Sequence, residues 1–373
     1  MMTEHATLRG WAEGFLGQYS ADCKLYLRFD DCTIYVQSNS KRLIEELTDY
    51  YGGFVAKESA DPGIHVYLLE APEQSIDLPF TAYPPGPGKT RIKDEYVDFP
   101  DGRLLRKRLT RMVFLFGGEH NIAVGPCLEN SNQAVNFINN RFIQSVLDRG
   151  YLLCHAAAVA RQGRGIALAG FSGRGKSTLG LHIMGQGLDF VSNDRLMIKR
   201  HTGKVRMLGL AKLPRINPGT ILNNPRLGVL ITEEERLHFE QLSSEELWEL
   251  EQKYDADVEE CFGPGRISLA SNMVGAMILN WNREGGPAQF SKVELRDRRD
   301  LLEALMKRPG VHYYSGPGKT ETDIPEAHYL ELLEGVPVME ASGGVDFEAA
   351  KAVCLDMLGV GDIDSVAIES REI

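Results

Sequence analysis

Residues 164–178 read RGIALAGFSGRGKST, and this stretch decides the fold. Ile166–Ala169 is continuously apolar, the pattern of a strand covered on both faces. Gly170-Phe-Ser-Gly-Arg-Gly175-Lys176-Ser177 follows and fits G-x-x-x-x-G-K-[ST] in full. From about Lys176 to Met184 the pattern turns helical. Glycines let successive backbone N–H groups turn toward one anion. The loop runs into a helix N-terminus, where free N–H groups and the helix dipole favour negative charge. Lys176 can reach the β- and γ-phosphates of a nucleotide, and Ser177 can set its hydroxyl on Mg²⁺. The candidate cofactor-binding residues are Gly170, Ser172, Gly173, Arg174, Gly175, Lys176, Ser177 and Thr178, with ATP and Mg²⁺ as the expected cofactors. At typical residue frequencies a chain this long meets the pattern by chance about one time in a hundred, and about a few times in a hundred at this glycine content. The competing reading is a plain glycine turn.

A second metal ligand is needed, usually an Asp at the carboxyl end of a neighbouring strand. Asp189–Asn193 reads as that strand, and Asp194 follows it. Ligands of an open parallel sheet gather at the strands' carboxyl ends, which would bring Asp194 beside Ser177 as the second metal ligand. The plainer reading of Asp194 is a turn cap. Asn193 either contacts a metal-bound water or is structural. His155 either serves as a proton acceptor, being the side chain that titrates near neutrality, or packs beneath the loop. Arg174 either touches phosphate or points to solvent. Arg215, in Lys212-Leu-Pro-Arg-Ile-Asn-Pro-Gly219, either neutralises charge on the transferring group or belongs to an ordinary proline-bounded loop. The catalytic candidates are thus His155, Lys176, Asn193, Asp194 and Arg215. The fragments GPGKT at 86–90 and 316–320 lack the motif's first glycine, because Tyr83 and Tyr313 stand there, although a substrate contact for Lys319 stays open.

The rest of the 373-residue sequence frames this centre. Residues 1–145 alternate short strand and helix patterns and predict an α+β N-terminal domain. Among them are a helix over 8–18, a hairpin around Asp30-Asp31, a helix over Lys41–Tyr51, and strands over Leu104–Phe116 and Asn121–Val124. Residues 146–296 form the expected α/β core, which includes a Glu-rich solvated insertion or lid at 231–260. Residues 297–373 read as a C-terminal α/β extension packed on the core. The formal net charge of −11 repels phosphate backbones at long range, so nucleic acid is not an expected partner. Arg103, Arg106, Lys107, Arg108 and Arg111 form a basic cluster, read as a solvated strand edge or face. No two of the six cysteines have C-x-x-C spacing, which leaves a zinc site or disulfide framework without support and suggests a reducing cytoplasm. There is no apolar run of signal-peptide or membrane-spanning length.

His155, the GxSGxGKS loop, and a polar-Asp-Arg triplet after the next strand together resemble the C-terminal kinase domain of HPr kinase/phosphorylase. The segments HAAAVARQGRGIALAGFSGRGKSTL (155–179) and FVSNDRLMI (190–198) are more closely similar to the HprK-related kinase B group. This resemblance covers about residues 150–225. It implies a P-loop kinase core of the HPr kinase/phosphoenolpyruvate carboxykinase type, ATP and Mg²⁺ as cofactors, a protein serine as acceptor, and a homo-oligomer. By the same resemblance Gly173, Gly175, Lys176 and Ser177 would hold the phosphates, Asp194 would sit in the metal site, and His155 would lie near the γ-phosphate or the acceptor. Two positions depart from the family. Its paired acids are Asn193-Asp194 here, so the first, held to be the general base, is an amide that cannot take a proton. Thr178 stands where the family carries Glu. The first 140 residues do not match its N-terminal domain. The expectation is therefore a kinase with little phosphorylase activity. A small-molecule kinase, a nucleotide sensor or assembly factor, and a conformational NTPase remain as alternatives.

Overall fold

The structure is a computed structural model, and it describes residues 7–58, 62–85, 90–250, 252–316 and 324–360. Lys319 lies outside the described residues. The chain forms two compact units. One runs to Arg149 and takes in the segment that begins at Arg308; the other is Gly150–Lys307 and resumes at Pro325. Most of the C-terminal segment, expected as an extension, therefore belongs to the same unit as the core.

The first unit contains α1 (Leu8–Gln18), β1 (Cys23–Phe29), β2 (Cys32–Ser38), α2 (Lys41–Tyr51), β3 (Ile64–Glu70), β4 (Thr81–Ala82), β5 (Asp94–Phe99), β6 (Gly102–Lys107), β7 (Val113–Gly117), β8 (His120–Gly125) and α3 (Ser131–Asp148). Its strands form one sheet in the order β1-β2-β3-β8-β7-β6-β5-β4. Helix α1 buries Leu8, Trp11, Ala12 and Phe15, spaced to make one helical stripe, against Leu104, Val113, Leu115 and Val124. The stretch expected as one strand over Leu104–Phe116 is two, because the chain turns back between Lys107 and Val113 with Arg111 at φ 56°.

Arg108 and Arg111 of the basic cluster are exposed, as a solvated edge requires, but every member is paired with an acid. Arg106 and Arg108 both pair with Glu95, Lys107 pairs with Asp94, Arg111 with Glu73, and Arg103 with Asp98. Arg103 is also buried. The acids of β5 supply most of these partners across the strand register. The segment after Arg308 is held through its own backbone. Arg103 donates to the carbonyls of Val311 (2.9 Å) and Tyr313 (3.3 Å), Arg141 to that of His312, and Gln144 exchanges hydrogen bonds with the Tyr314 backbone (2.9 and 3.0 Å).

The second unit contains β9 (Leu152–Cys154), β10 (Ala156–Arg161), β11 (Arg164–Gly170), α4 (Lys176–Met184), β12 (Asp189–Ser192), β13 (Leu196–His201), β14 (Lys204–Leu208), β15 (Arg215–Ile216), α5 (Pro218–Leu222), α6 (Glu233–Glu240), α7 (Ser244–Glu249), β16 (Tyr254–Asp255), α8 (Val258–Phe262), β17 (Ala270–Leu279), β18 (Gln289–Lys292), α9 (Arg299–Leu305), α10 (Glu326–Leu332), β19 (Val338–Ser342) and α11 (Phe347–Leu358). Strand β11 pairs in parallel with β17, and β17 in parallel with β19. On its other edge β11 meets β10 antiparallel, and β10 meets β12 antiparallel, so β12 runs in the same direction as β11. The first half of β17 carries the β14-β13 hairpin and then β9. In that hairpin Thr202 and Gly203 both have positive φ, the geometry of a two-residue turn matched to strand twist.

Every residue of β11 after Arg164 is buried, as a strand covered on both faces requires. Ile166 and Leu168 join Leu179 and Ile183 of α4, Met277 of β17, and Cys354 and Leu355 of α11 in one core. The Glu-rich stretch does contain helices. Both α6 and α7 open with a capping box, Thr232 with Glu235 and Ser243 with Glu246, which explains where each begins.

Close backbone approach constrains the chain near β12. A Cβ on Gly209 would run into the carbonyl of Val191, three residues before Asp194. Gly209→Ala is expected to lower stability by about 1–3 kcal/mol through overpacking, measured by urea unfolding, while alanine at the open Gly203 turn should have a far smaller packing effect.

Candidate functional site

Strand register gathers three chain segments at one end of the sheet. Ala156 of β10 pairs with Ala169 of β11, so His155 lies level with Gly170. Ala158 pairs with Ser192 of β12, which directs Asn193 and Asp194 back past the start of β10. The glycine loop leaves β11 at this same end and enters α4 at Lys176.

The loop is tightly curled. Gly170, Gly173 and Gly175 have φ of 147°, 79° and 87°, which L side chains rarely adopt. A Cβ on Gly170 would meet the Leu279 carbonyl at 2.8 Å, and one on Gly175 would meet the Phe347 ring at 2.7 Å. The Lys176 side chain folds back over the loop, its Nζ donating to the carbonyls of Gly170 (2.8 Å) and Phe171 (3.2 Å). Among the described residues, no backbone carbonyl outside α4 accepts from the N–H of Gly173, Gly175, Lys176, Ser177 or Thr178, and no side chain caps the helix. Free amides at the start of a nine-residue helix, with a lysine beside them, make an anion nest.

The charge of Asp194 reaches Lys176. The Oδ1 of Asp194 is 3.1 Å from Nε2 of His155, and its Oδ2 accepts from Nζ of Lys307 at 2.9 Å. Burial works against the carboxylate's charge, but hydrogen bonds from His155 and Lys307 and the charge of Lys307 outweigh it and hold Asp194 well below the usual carboxylate range. Lys176 is shifted the other way. Burial lowers its ammonium to about 8; the Asp194 charge opposes that shift and the Lys307 charge adds to it. Burial likewise lowers Arg195 and Lys212, and both feel the Asp194 charge. The site is thus locally cationic in an acidic chain.

The other candidates occupy varied positions. Ser172 and Gly173 are exposed in the loop, and Asn193 is half-buried. Arg174 is tied to the end of β17: its Nη1 donates to the Trp281 carbonyl at 2.5 Å, and the Trp281 indole returns a bond to the Arg174 carbonyl at 2.9 Å. Thr178 shares a 2.8 Å hydrogen bond with Thr220, which also donates to Asn217, so its hydroxyl fastens α4 to the start of α5. Arg215 is half-exposed and pairs with Asp255 across β15 and β16 at 3.1 Å, although its charge still reaches Lys212.

Lys307 was not legible in the sequence. It comes from the end of α9, 113 residues from Asp194, within no motif. A short antiparallel bridge sets it in place: His155 N donates to Leu305 O at 2.7 Å, Lys307 N to Leu153 O at 3.1 Å, and Cys154 faces Met306.

The residues present fit Mg²⁺ with a nucleotide. Ser177 and Asp194 offer a hydroxyl and a carboxylate, the hard oxygen donors that Mg²⁺ prefers. Among the described residues, no three or more His, Cys, Asp or Glu side chains gather to hold a metal. Mg²⁺ in such sites takes its remaining ligands from phosphate and water. The free loop amides and Lys176 suit the phosphates.

No protein-family model matches this chain, and no curated protein matches it. Among solved structures it is similar to the HPr(Ser) kinase/phosphatase from Coxiella burnetii, with 12% identity over 59% of this chain and 94% of that chain and a TM-score of 0.28. A likeness this slight leaves the site to be read from its own residues, and the kinship suggested by residues 155–198 stays a resemblance. Among the described residues, no helix is long and apolar enough to cross a membrane.

The lowered Lys176 implies a pH dependence. Below pH 8 the free protein already holds the charged ammonium; above it, phosphate binding must take up a proton. The dissociation constant of a fluorescent ATP analogue should stay flat from about pH 6.5 to 7.5 and rise above about 8, toward tenfold per pH unit. Lys176→Arg should flatten that rise, and a wild-type profile that stays level to about pH 9.5 would contradict the assignment.

Proposed function

We propose that this protein is an ATP- and Mg²⁺-dependent kinase that transfers the γ-phosphoryl group to a hydroxyl, in first place a serine of a partner protein. The observation that carries this reading is the curled Gly170–Ser177 loop, in which the amides of Gly173, Gly175, Lys176 and Ser177 lack backbone partners, with a buried lysine that feels the charge of the Asp194 carboxylate. The acceptor class rests on the family that residues 155–198 resemble, and a P-loop core of the HPr kinase type and a cytoplasmic setting belong to the same proposal.

On this reading the amides of Gly173, Gly175, Lys176 and Ser177 and the Lys176 ammonium would hold the phosphates, while Ser177 and Asp194 would hold Mg²⁺. The metal would neutralise charge on the phosphates. Arg174 acts indirectly by pinning the loop to Trp281. His155 is the group able to take the acceptor's proton. An ionised carboxylate only accepts hydrogen bonds, so Asp194 receives Nε2–H and leaves Nδ1 as the ring's acceptor. Asn193 has no such capacity. Transfer is largely dissociative, so orientation and charge neutralisation supply most of the rate and a modest base suffices.

A second reading, a nucleotide-binding sensor, is favoured by one observation: both oxygens of Asp194 are already engaged by His155 and Lys307.

The test is labelled ATP with Mg²⁺ and a lysate of the protein's own host, beside Lys176→Ala and Asp194→Asn. A labelled protein band that falls about a hundredfold or more in both variants supports the kinase reading. Label on small molecules alone moves the acceptor to a metabolite. Tight nucleotide binding without turnover favours the sensor, and absence of binding removes the nucleotide reading altogether.

A further inference from the structure

The half-exposed Asp194 carboxylate already has a cation against it. Lys307 Nζ lies 2.9 Å from Oδ2, and His155 occupies Oδ1. The lysine is not a loose surface side chain that happens to reach an acid. Its own N–H is bonded to the Leu153 carbonyl, the residue before it bridges to Cys154, and its side chain is largely covered, 24% exposed. The same bridge bonds the His155 N–H to Leu305. One short backbone pairing therefore delivers both partners of Asp194. The Lys307 charge also reaches Lys176, so it lies within range of whatever the loop binds.

A lysine ammonium is a compact point charge on a flexible stem, and it can leave a carboxylate without disturbing the backbone that carries it. We infer that Lys307 is the resident counter-cation of Asp194, which must give way when a divalent metal arrives with nucleotide. The Asp194–Lys307 pair thereby sets the metal concentration that the site requires. This inference rests on the nucleotide reading above and makes Lys307 a positioning residue. Its distinctive consequence is competition between two cations for one carboxylate oxygen.

The test measures binding rather than turnover. A fluorescent ATP analogue is titrated at a series of Mg²⁺ concentrations in the wild type, Lys307→Met and Lys307→Arg, and bound Mn²⁺ is counted by electron paramagnetic resonance. Lys307→Met should lower the half-saturating metal concentration roughly three- to tenfold, as expected for losing one competing, partly buried ion pair. Lys307→Arg, which keeps the charge, should stay near the wild type. Lys307→Gln removes the charge but keeps a polar tip, and it replaces the methionine variant should that fail to fold. Wild-type binding with an unmoved or raised metal midpoint in the uncharged variants overturns this inference alone. Absence of nucleotide binding by the wild type at every metal concentration overturns the nucleotide reading, and this inference with it.

Discussion

The pairing of β10 with β11 across Gln162-Gly163 holds the site together. Gln162 and Gly163 have φ of 52° and 75°, the left-handed pair that a two-residue hairpin turn needs if it is to follow the strands' own twist. The turn fixes which residue of β10 faces which residue of β11, and a slip of one residue would exchange the faces of all of them. His155 is level with Gly170, where the glycine loop begins, only in this register. Because β12 pairs with the other edge of β10, the position of Asp194 is inherited from the same turn. Three segments converge by backbone geometry before any of their side chains interact.

Charge is distributed on two scales. The whole chain carries a formal charge of −11, yet Lys176, Arg195, Lys212 and Lys307 all act on or around one carboxylate. Burying amines costs charge, as the lowered values of Lys176 and Lys212 record, and such a cost persists where an anionic ligand can offset it. In the first unit the opposite solution holds. There the basic stretch of β6 is matched by the acids of β5 and the cations are spent internally.

What was legible in the sequence was local. The glycine loop, the apolar β11, helix α4 and the acid after β12 all lie between residues 164 and 194, and each has a pattern set by its own neighbours. The α+β character of the first unit was also readable, since α1 and α2 carry clear helical stripes. Contacts across long sequence separations were not. Nothing around Lys307 distinguishes it from other lysines until the bridge to β9 is formed. The acids of β5 escaped notice because a strand reading Asp-Glu-Tyr-Val-Asp-Phe offers little apolar periodicity. The tie between Arg174 and Trp281 joins residues 107 positions apart, so a loop arginine that left phosphate contact and solvent both open is fastened just beyond the neighbouring strand.

The carbonyls of residues 311–314, gripped by Arg103, Arg141 and Gln144, bear on how the molecule can be taken apart. The polypeptide passes from one unit to the other at Gly150, returns after Lys307, and crosses again before Pro325. Neither unit is an uninterrupted length of chain. A genetic excision of the second would carry along a stretch whose natural holdfast had been left behind, and the first would lose that stretch entirely. On the ribosome, too, the first unit emerges with a gap in its fabric, closed only after most of its companion has been made.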